Sequence, residues 1–193
     1  MADFKKTFET ILKLEFNSPK NALHFNDGEK GYTFMGVYQY AHPHWLGWDR
    51  IKELFAEDEK RYGQIAIKRV SEKAYSDIQL RYSAELFYEL EFWKEMKLDK
   101  VTSQKMAEEI FVFGVNAGCQ VAIKAAQVVL GFQGKYLDGD IGNMTINALN
   151  KFDEKVFDTE YDQLEKAHYN MLVKRNPTLE PNLKGWHNRA VAV

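Results

Sequence analysis

The sequence predicts a mainly α-helical chain, α+β in class, in which a helical bundle carries one small β-hairpin. Three observations lead there. The four prolines, Pro19, Pro43, Pro177 and Pro181, all fall near the ends of predicted elements. The stretch GYTFMGVYQY at 31–40 is rich in aromatic and β-branched residues and follows a turn-forming Asn-Asp-Gly, which makes it the best strand candidate. Most of the remainder spaces its apolar residues at the helical period.

In chain order, a first helix is expected over 3–16, ending at Asn-Ser-Pro. The strand region covers 22–40, and AHPHWLGW is a loop. A charged helical region runs over 49–96, with a break near Gly63 and a clearly amphipathic later part, AYSDIQLRYSAELFYELEFW. The pattern fails near KEMKLDKVTSQ, and a new helix begins where Thr102 or Ser103 can cap it. Two apolar helices fill 104–130 with a break at 116–118. The turn KYLDGDIGNMT follows, then helices through INALNKF and DTEYDQLEKAHYNMLVKR, and the tail PTLEPNLKGWHNRAVAV.

Composition narrows the function classes. Hydrophobic residues make up 45% of the 193 and aromatics 14%, enough for a packed interior and unlike a disordered chain. A formal charge of -2 argues against nucleic-acid binding through a basic surface. Cys119 is the single cysteine, so no intramolecular disulfide can form. The N-terminal MADFKKTFETILKLEF lacks the apolar core of an export signal, which points to synthesis in the cytoplasm. Asn116, Gln120, Lys124 and Gln127 interrupt the most apolar stretch, which reads as buried helix rather than membrane span.

One acid stands out. Phe4, Phe8, Ile11 and Leu12 form the apolar stripe of the first helix, and Glu15 lies eleven residues beyond Phe4. At roughly 100° per residue it returns to within roughly 20° of that direction, toward the core. Burial raises a carboxyl pKa, as a general acid requires, but on position alone a buried ion pair or an outward turn at the helix end is the plainer explanation. Downstream, DGEKGYT sets Asp27 and Thr33 six positions apart across an expected turn. An inverting glycosidase needs a protonated acid and a second carboxylate that directs water, roughly 6.5–9.5 Å away. A helix-end Glu facing a hairpin Asp can meet that need; an Asx-turn residue and an ordinary strand residue are the plainer readings of Asp27 and Thr33.

This helical Glu followed by D-G-E-K-G-Y-T resembles the Glu…Asp…Thr constellation of phage-type lysozymes. With T-F-M-G-V it is similar to glycoside hydrolase family 108, a family of phage-like N-acetylmuramidases that includes proteins described as secretion activators. The family's Glu is followed by Gly-Gly-Tyr, whereas Glu15 is followed by Phe16-Asn17-Ser18, and the segment to Asp27 is longer by a few residues. In the second half, EFWKEMKLDKV, EEIFVFGVNAGCQVAIKAAQVVLG and DGDIGNMTINAL resemble the predicted peptidoglycan-binding region of these proteins. Its Phe-x-x-Asn-x-Gly core corresponds to Phe113, Asn116 and Gly118, and KGWHNR resembles its terminal Gly-Trp-x-x-Arg.

The resemblance implies a lysozyme-like fold whose hairpin lines a substrate cleft. It implies a muramidase region at 1–97 and a peptidoglycan-binding region at 98–193, packed as one globular unit. Glu15 would be the general acid, Asp27 would position or activate water, and Thr33 would support that water. Tyr32 and Tyr38 are candidates for sugar contact among the aromatics after the turn, with Asn116 for a sugar N-acetyl group. The partner would be peptidoglycan glycan strands, reached in the cell wall by a holin-like release route. No cofactor is expected. His24, His42 and His44 lack further ligands at suitable positions, and Asp138 and Asp140 lack EF-hand spacing, so no metal is expected either. No nucleophile elbow or phosphate loop occurs. Two alternatives remain: a non-catalytic wall-binding or secretion-assisting protein on the same scaffold, and a lytic transglycosylase.

Overall fold

The computed structural model describes residues 1–16, 18–26 and 28–192, with the backbone alone at Glu15. Helix α1 is Phe4–Glu15, and three two-residue strands follow: β1 Leu23–His24, β2 Thr33–Phe34 and β3 Val37–Tyr38. They form an antiparallel sheet in the order β1-β2-β3, with Leu23 opposite Phe34 and Thr33 opposite Tyr38. Helices α2 Gly47–Tyr62, α3 Ile67–Ser76 and α4 Ile78–Tyr88 come next, and α4 passes into a π-helical turn at Glu89–Lys94. The rest is helical: α5 Gln104–Ala117, α6 Cys119–Val129, α7 Asn143–Leu149, α8 Glu154–Arg175 and α9 Glu180–Arg189. Two compact units result, one of Ile11–Tyr88 and one of Met1–Thr10 with Glu89–Val193. They are described separately below.

In the Ile11–Tyr88 unit, the expected strand region folds back on itself. Met35 and Gly36 both take positive φ, 48° and 85°, and form the two-residue turn that suits the twist of a hairpin. Gly36 fits that conformation without penalty, but Met35 does not. Fixed partners hold Met35 there. Its N–H donates to the Ala22 carbonyl at 2.7 Å, its carbonyl accepts from the Tyr88 hydroxyl at 3.0 Å, and its side chain is fully buried. The hydroxyl of Ser71 on α3 accepts from Leu23 N–H at 2.9 Å and donates to the Pro19 carbonyl at 2.6 Å, tying β1 to the helices. Gly47 opens α2 because a Cβ there would run into the Trp45 ring.

Asp58 on α2 is fully buried, and Arg69 on α3 grips it with Nε at 3.1 Å and Nη2 at 2.9 Å. The Ala66 N–H donates to it at 3.0 Å and Lys73 lies at 3.5 Å. These donors, the Arg69 hydrogen bonds above all, hold its carboxyl at about 2 against the opposing effect of burial. The helical region predicted over 49–96 breaks where expected, at Gly63 with φ 71°, and also at Asp77. There the carboxylate accepts from Gln79 and Leu80 N–H and caps α4.

In the other unit, Phe4, Trp93 and Phe111 pack with centroids 5.7 to 6.1 Å apart. Ala2 N–H donates to the Val101 carbonyl at 2.8 Å and Asp3 N–H to Gln104 Oε1 at 2.7 Å, which fastens the chain start to α5. Ser103 caps α5 by accepting from Met106 N–H at 3.0 Å, one of the two residues expected to do so. Gly118, at φ 95°, separates α5 from α6 within the predicted break. Asp153 caps α8, which therefore begins ahead of DTEYDQ. The tail contains α9, since Pro181 sits in its first turn, where its missing N–H costs nothing.

Two measurements check this account. Tyr88→Phe strands a buried carbonyl and should lower the unfolding free energy by about 1–3 kcal/mol in urea titrations. Asp58 stabilises the fold above its unfolded value of 3.8, and that contribution disappears as pH falls through about 2. The gap in melting temperature between wild type and Asp58→Asn should therefore be open at pH 7 and close between about pH 4 and pH 2.

Candidate functional site

Glu15 is the last residue of α1, one turn beyond the fully buried Ile11, and its side chain lies outside the described residues. Asp27 lies outside them as well. The chain around both is defined. Leu12, Lys13, Phe16, Ser18, Pro19 and Tyr75 line a cleft of about 200 Å³ at the end of α1, with the Phe16 and Tyr75 rings edge to face at 5.7 Å. Across positions 26–29, Asn26 Nδ2 donates to Glu29 Oε1 at 2.9 Å, and Glu29 N–H returns to the Asn26 carbonyl at 3.0 Å.

The other hairpin candidates lie within the described residues. Thr33 is buried in β2, opposite His24 on one side and Tyr38 on the other. Tyr32, half-buried, packs between Phe25 at 5.6 Å and Phe55 at 5.0 Å. Its N–H donates to Gln39 Oε1 at 3.1 Å. Tyr38, also half-buried, accepts on its hydroxyl from Lys30 N–H at 3.0 Å, while the Lys30 ammonium sits 4.9 Å over the Tyr40 ring. Two aromatic faces thus flank Thr33, each with its own fixed contacts. Phe25 and Tyr40 remain about half and three-fifths exposed beside them.

Asn116 belongs to the other unit. With its amide oxygen turned to Arg189, it accepts from Nε at 3.2 Å and Nη1 at 3.3 Å. One turn earlier, Phe113 meets Tyr161 and Tyr169 edge to face, and Tyr169 stacks on Trp186 at 5.0 Å. The Phe-x-x-Asn and Gly-Trp-x-x-Arg segments therefore meet as one packed cluster. His42 packs on Phe87 at 4.7 Å. Asp138 Oδ1 accepts from Gln127 Nε2 and Asp140 N–H, which closes the Gly/Asp-rich turn.

A group of acids that sequence reasoning missed lies between α5 and α8. Glu109 is 2% exposed and Glu165 is 2% exposed, with Asp158 and Asp162 beside them. Burial, with Asp158, Glu165 and Asp162 adding to it, pushes the Glu109 carboxyl up to about 10. Burial and Asp162 push Glu165 up to about 8. Lys105 reaches Asp158 at 3.1 Å and Lys166 reaches Asp162 at 3.2 Å. The signal was available in the spacing 158, 162, 165, which shares one helix face, and in Glu109, the second of a Glu-Glu pair that leads directly into the apolar run Ile110–Gly114.

Residues 23–118 match the family model for glycosyl hydrolase 108, and 121–191 match that for a predicted peptidoglycan domain. This is a glycosyl hydrolase 108 chain with a C-terminal peptidoglycan domain. Among solved structures, Brucella abortus SagA is similar over 97% of this chain and 88% of its own, with a TM-score of 0.60 and 19% identity. At that identity the likeness concerns the fold, and it agrees with the predicted mainly α, lysozyme-like architecture. No curated protein matches the chain. Tyr32, Thr33, Tyr38 and Asn116 fall inside the glycosyl hydrolase 108 match, while Glu15 precedes it. The two domains together mark a hydrolase-family protein associated with peptidoglycan.

The Asn116–Arg189 contact gives a test of how the two motifs are joined. Asn116→Ala and Arg189→Ala should each destabilise the chain, and a double-mutant cycle in urea should give a coupling of about 1–2 kcal/mol.

Proposed function

We propose that the glycosyl hydrolase 108 chain is an N-acetylmuramidase that cleaves the β-1,4 glycosidic bond of peptidoglycan. The observation that carries this reading is the glycosyl hydrolase 108 match over 23–118 joined to a peptidoglycan domain over 121–191. Glu15 protonates the leaving oxygen. Asp27 directs or activates water on the opposite face of the sugar ring, and Thr33 supports that water. Tyr32 and Tyr38 offer ring faces to the sugars, and the fixed contacts around each reduce the rotamer entropy lost on binding. Asn116, held by Arg189, contributes from the other unit by ordering the peptidoglycan domain. The reaction inverts, and the site of action is the cell wall, reached through a holin-like release route.

One observation favours a second reading. The family match begins at Leu23, beyond Glu15, and Phe16-Asn17-Ser18 stands where the family has Gly-Gly-Tyr. A wall-binding or secretion-assisting protein without hydrolytic activity fits that departure.

Turbidity and reducing-end assays on purified sacculi separate the two. Wild type should release reducing ends, and Glu15→Gln, with its melting temperature unchanged, should reduce the rate by about 100-fold or more. The newly formed reducing end should be the α anomer by proton NMR. Wild-type protein that sediments with sacculi and releases no sugar would establish the binding reading. An anhydro-sugar product would establish transglycosylation.

A further inference from the structure

Glu109 on α5 faces Asp158 and Asp162, which stand one turn apart on α8, a helix that packs against α5. One oxygen from each of the three carboxylates lies within 4.8 Å of the others. That separation has a direct meaning for a bound ion. Ligand oxygens around calcium sit 2.3–2.6 Å from the metal, so two on opposite sides are at most about 5 Å apart. Around magnesium, at 2.0–2.1 Å, the limit is about 4.2 Å. Three oxygens no more than 4.8 Å apart can share a centre at most about 2.8 Å from each, so a small inward shift of the side chains completes a calcium shell.

An independent observation concerns unmet bonding capacity. Glu109 Oε1 and Asp162 Oδ1 are buried, and no hydrogen bond reaches either among the described residues. Glu109 itself is 98% removed from solvent. The lysines occupy other positions: Lys105 is paired with Asp158 Oδ1, and Lys166 with Asp162 Oδ2 rather than the orphaned oxygen. Neither is paired with Glu109, and Glu165 adds a further buried acid on the same face of α8. Isolated buried carboxylates are costly, and a cation supplies what the surrounding side chains do not.

We propose that Glu109, Asp158 and Asp162 form a binding site for a calcium-sized divalent cation that clamps α5 to α8 within the unit that contains Glu89–Val193. Hard oxygen donors without imidazole or thiolate select calcium or manganese over zinc and copper. The site differs from the Asp138–Asp140 turn, where Asp138 already accepts hydrogen bonds from Gln127 and Asp140 N–H.

The test uses the full chain, stripped with EDTA and exchanged into metal-free buffer. Calcium chloride titrated in a calorimeter should give one site per chain. At about 100 times the dissociation constant it should raise the melting temperature by roughly 5–10 °C, with magnesium markedly weaker. Glu109→Gln keeps the shape of the protonated acid and should fold about as well as wild type in EDTA, yet lose the calcium shift. Asp162→Asn, at a position less buried than Glu109, should lose it too, and Asp140→Asn should keep it. The proposal is overturned by wild type that shows neither heat nor shift. It is equally overturned by a shift that survives in both Glu109→Gln and Asp162→Asn, or one lost in Asp140→Asn alone.

Discussion

The carbonyl of Met35 is the point on which the Ile11–Tyr88 unit is built. Its residue occupies a left-handed backbone conformation that a side chain disfavours, and two-residue strands supply too few ladder bonds to hold a hairpin by themselves. The Tyr88 hydroxyl and the Ala22 carbonyl supply the missing constraint, and burial of Phe34, Met35 and Val37 fixes the register. Everything proposed for the hairpin inherits its position from there. Thr33 and Tyr38 face each other only because the chain reverses at Met35–Gly36, and β1 joins only because Ser71 holds Leu23. The hairpin residues proposed to meet substrate are thus positioned by α3 and α4, elements that carry none of the proposed chemistry.

Buried acids in the two units show how partners decide the outcome of burial. Asp58 and Glu109 are comparably sealed from water. Asp58 meets a guanidinium fork, a backbone N–H and a lysine, so its carboxylate is held ionised and joins α2 to α3. Glu109 meets other carboxylates, so the neutral form is favoured until something positive arrives. The first arrangement is complete and serves structure. The second has bonding capacity left over, which is why it invites a ligand and the first does not.

Local signals in the sequence translated well. The Ser103 cap, the reversal at Gly118 and the break at Gly63 each rest on one residue's conformational or capping preference, and such preferences act over a few positions. Asp77 carried the same kind of signal, hidden by the amphipathic run on both sides of it. The strand region misled in extent, because aromatic and β-branched composition marks pleated surface but does not say where Met35-Gly36 will turn. Long-range pairings were not legible at all. Asn116 and Arg189 lie 73 positions apart, and Glu109 lies 49 before Asp158, separations at which no spacing rule operates. Of the candidate catalytic trio, Thr33 has a described setting, whereas Glu15's side chain and Asp27 fall outside the described residues.

The residues that make this chain recognisable are largely the residues that pack it. Phe113 sits against Tyr161 and Tyr169, Asn116 against Arg189, Trp186 on Tyr169, and Met35-Gly36 forms the turn of the TFMGV segment. Removing any of them disturbs the fold, so their order in the chain speaks first for architecture. Catalysis makes a different demand. It needs an acid whose proton is available at the glycosidic oxygen and a group that directs water, and neither packs anything. Glu15 stands ahead of the matched segment, at the end of a helix whose neighbours Leu12, Lys13 and Phe16 border a cleft. A chain could keep every packing motif and lose the activity through that one helix end, or keep the activity while the residues after it drift from Gly-Gly-Tyr. The two domain matches therefore speak for association with peptidoglycan, whereas turnover, in the function proposed, depends on a single carboxyl group.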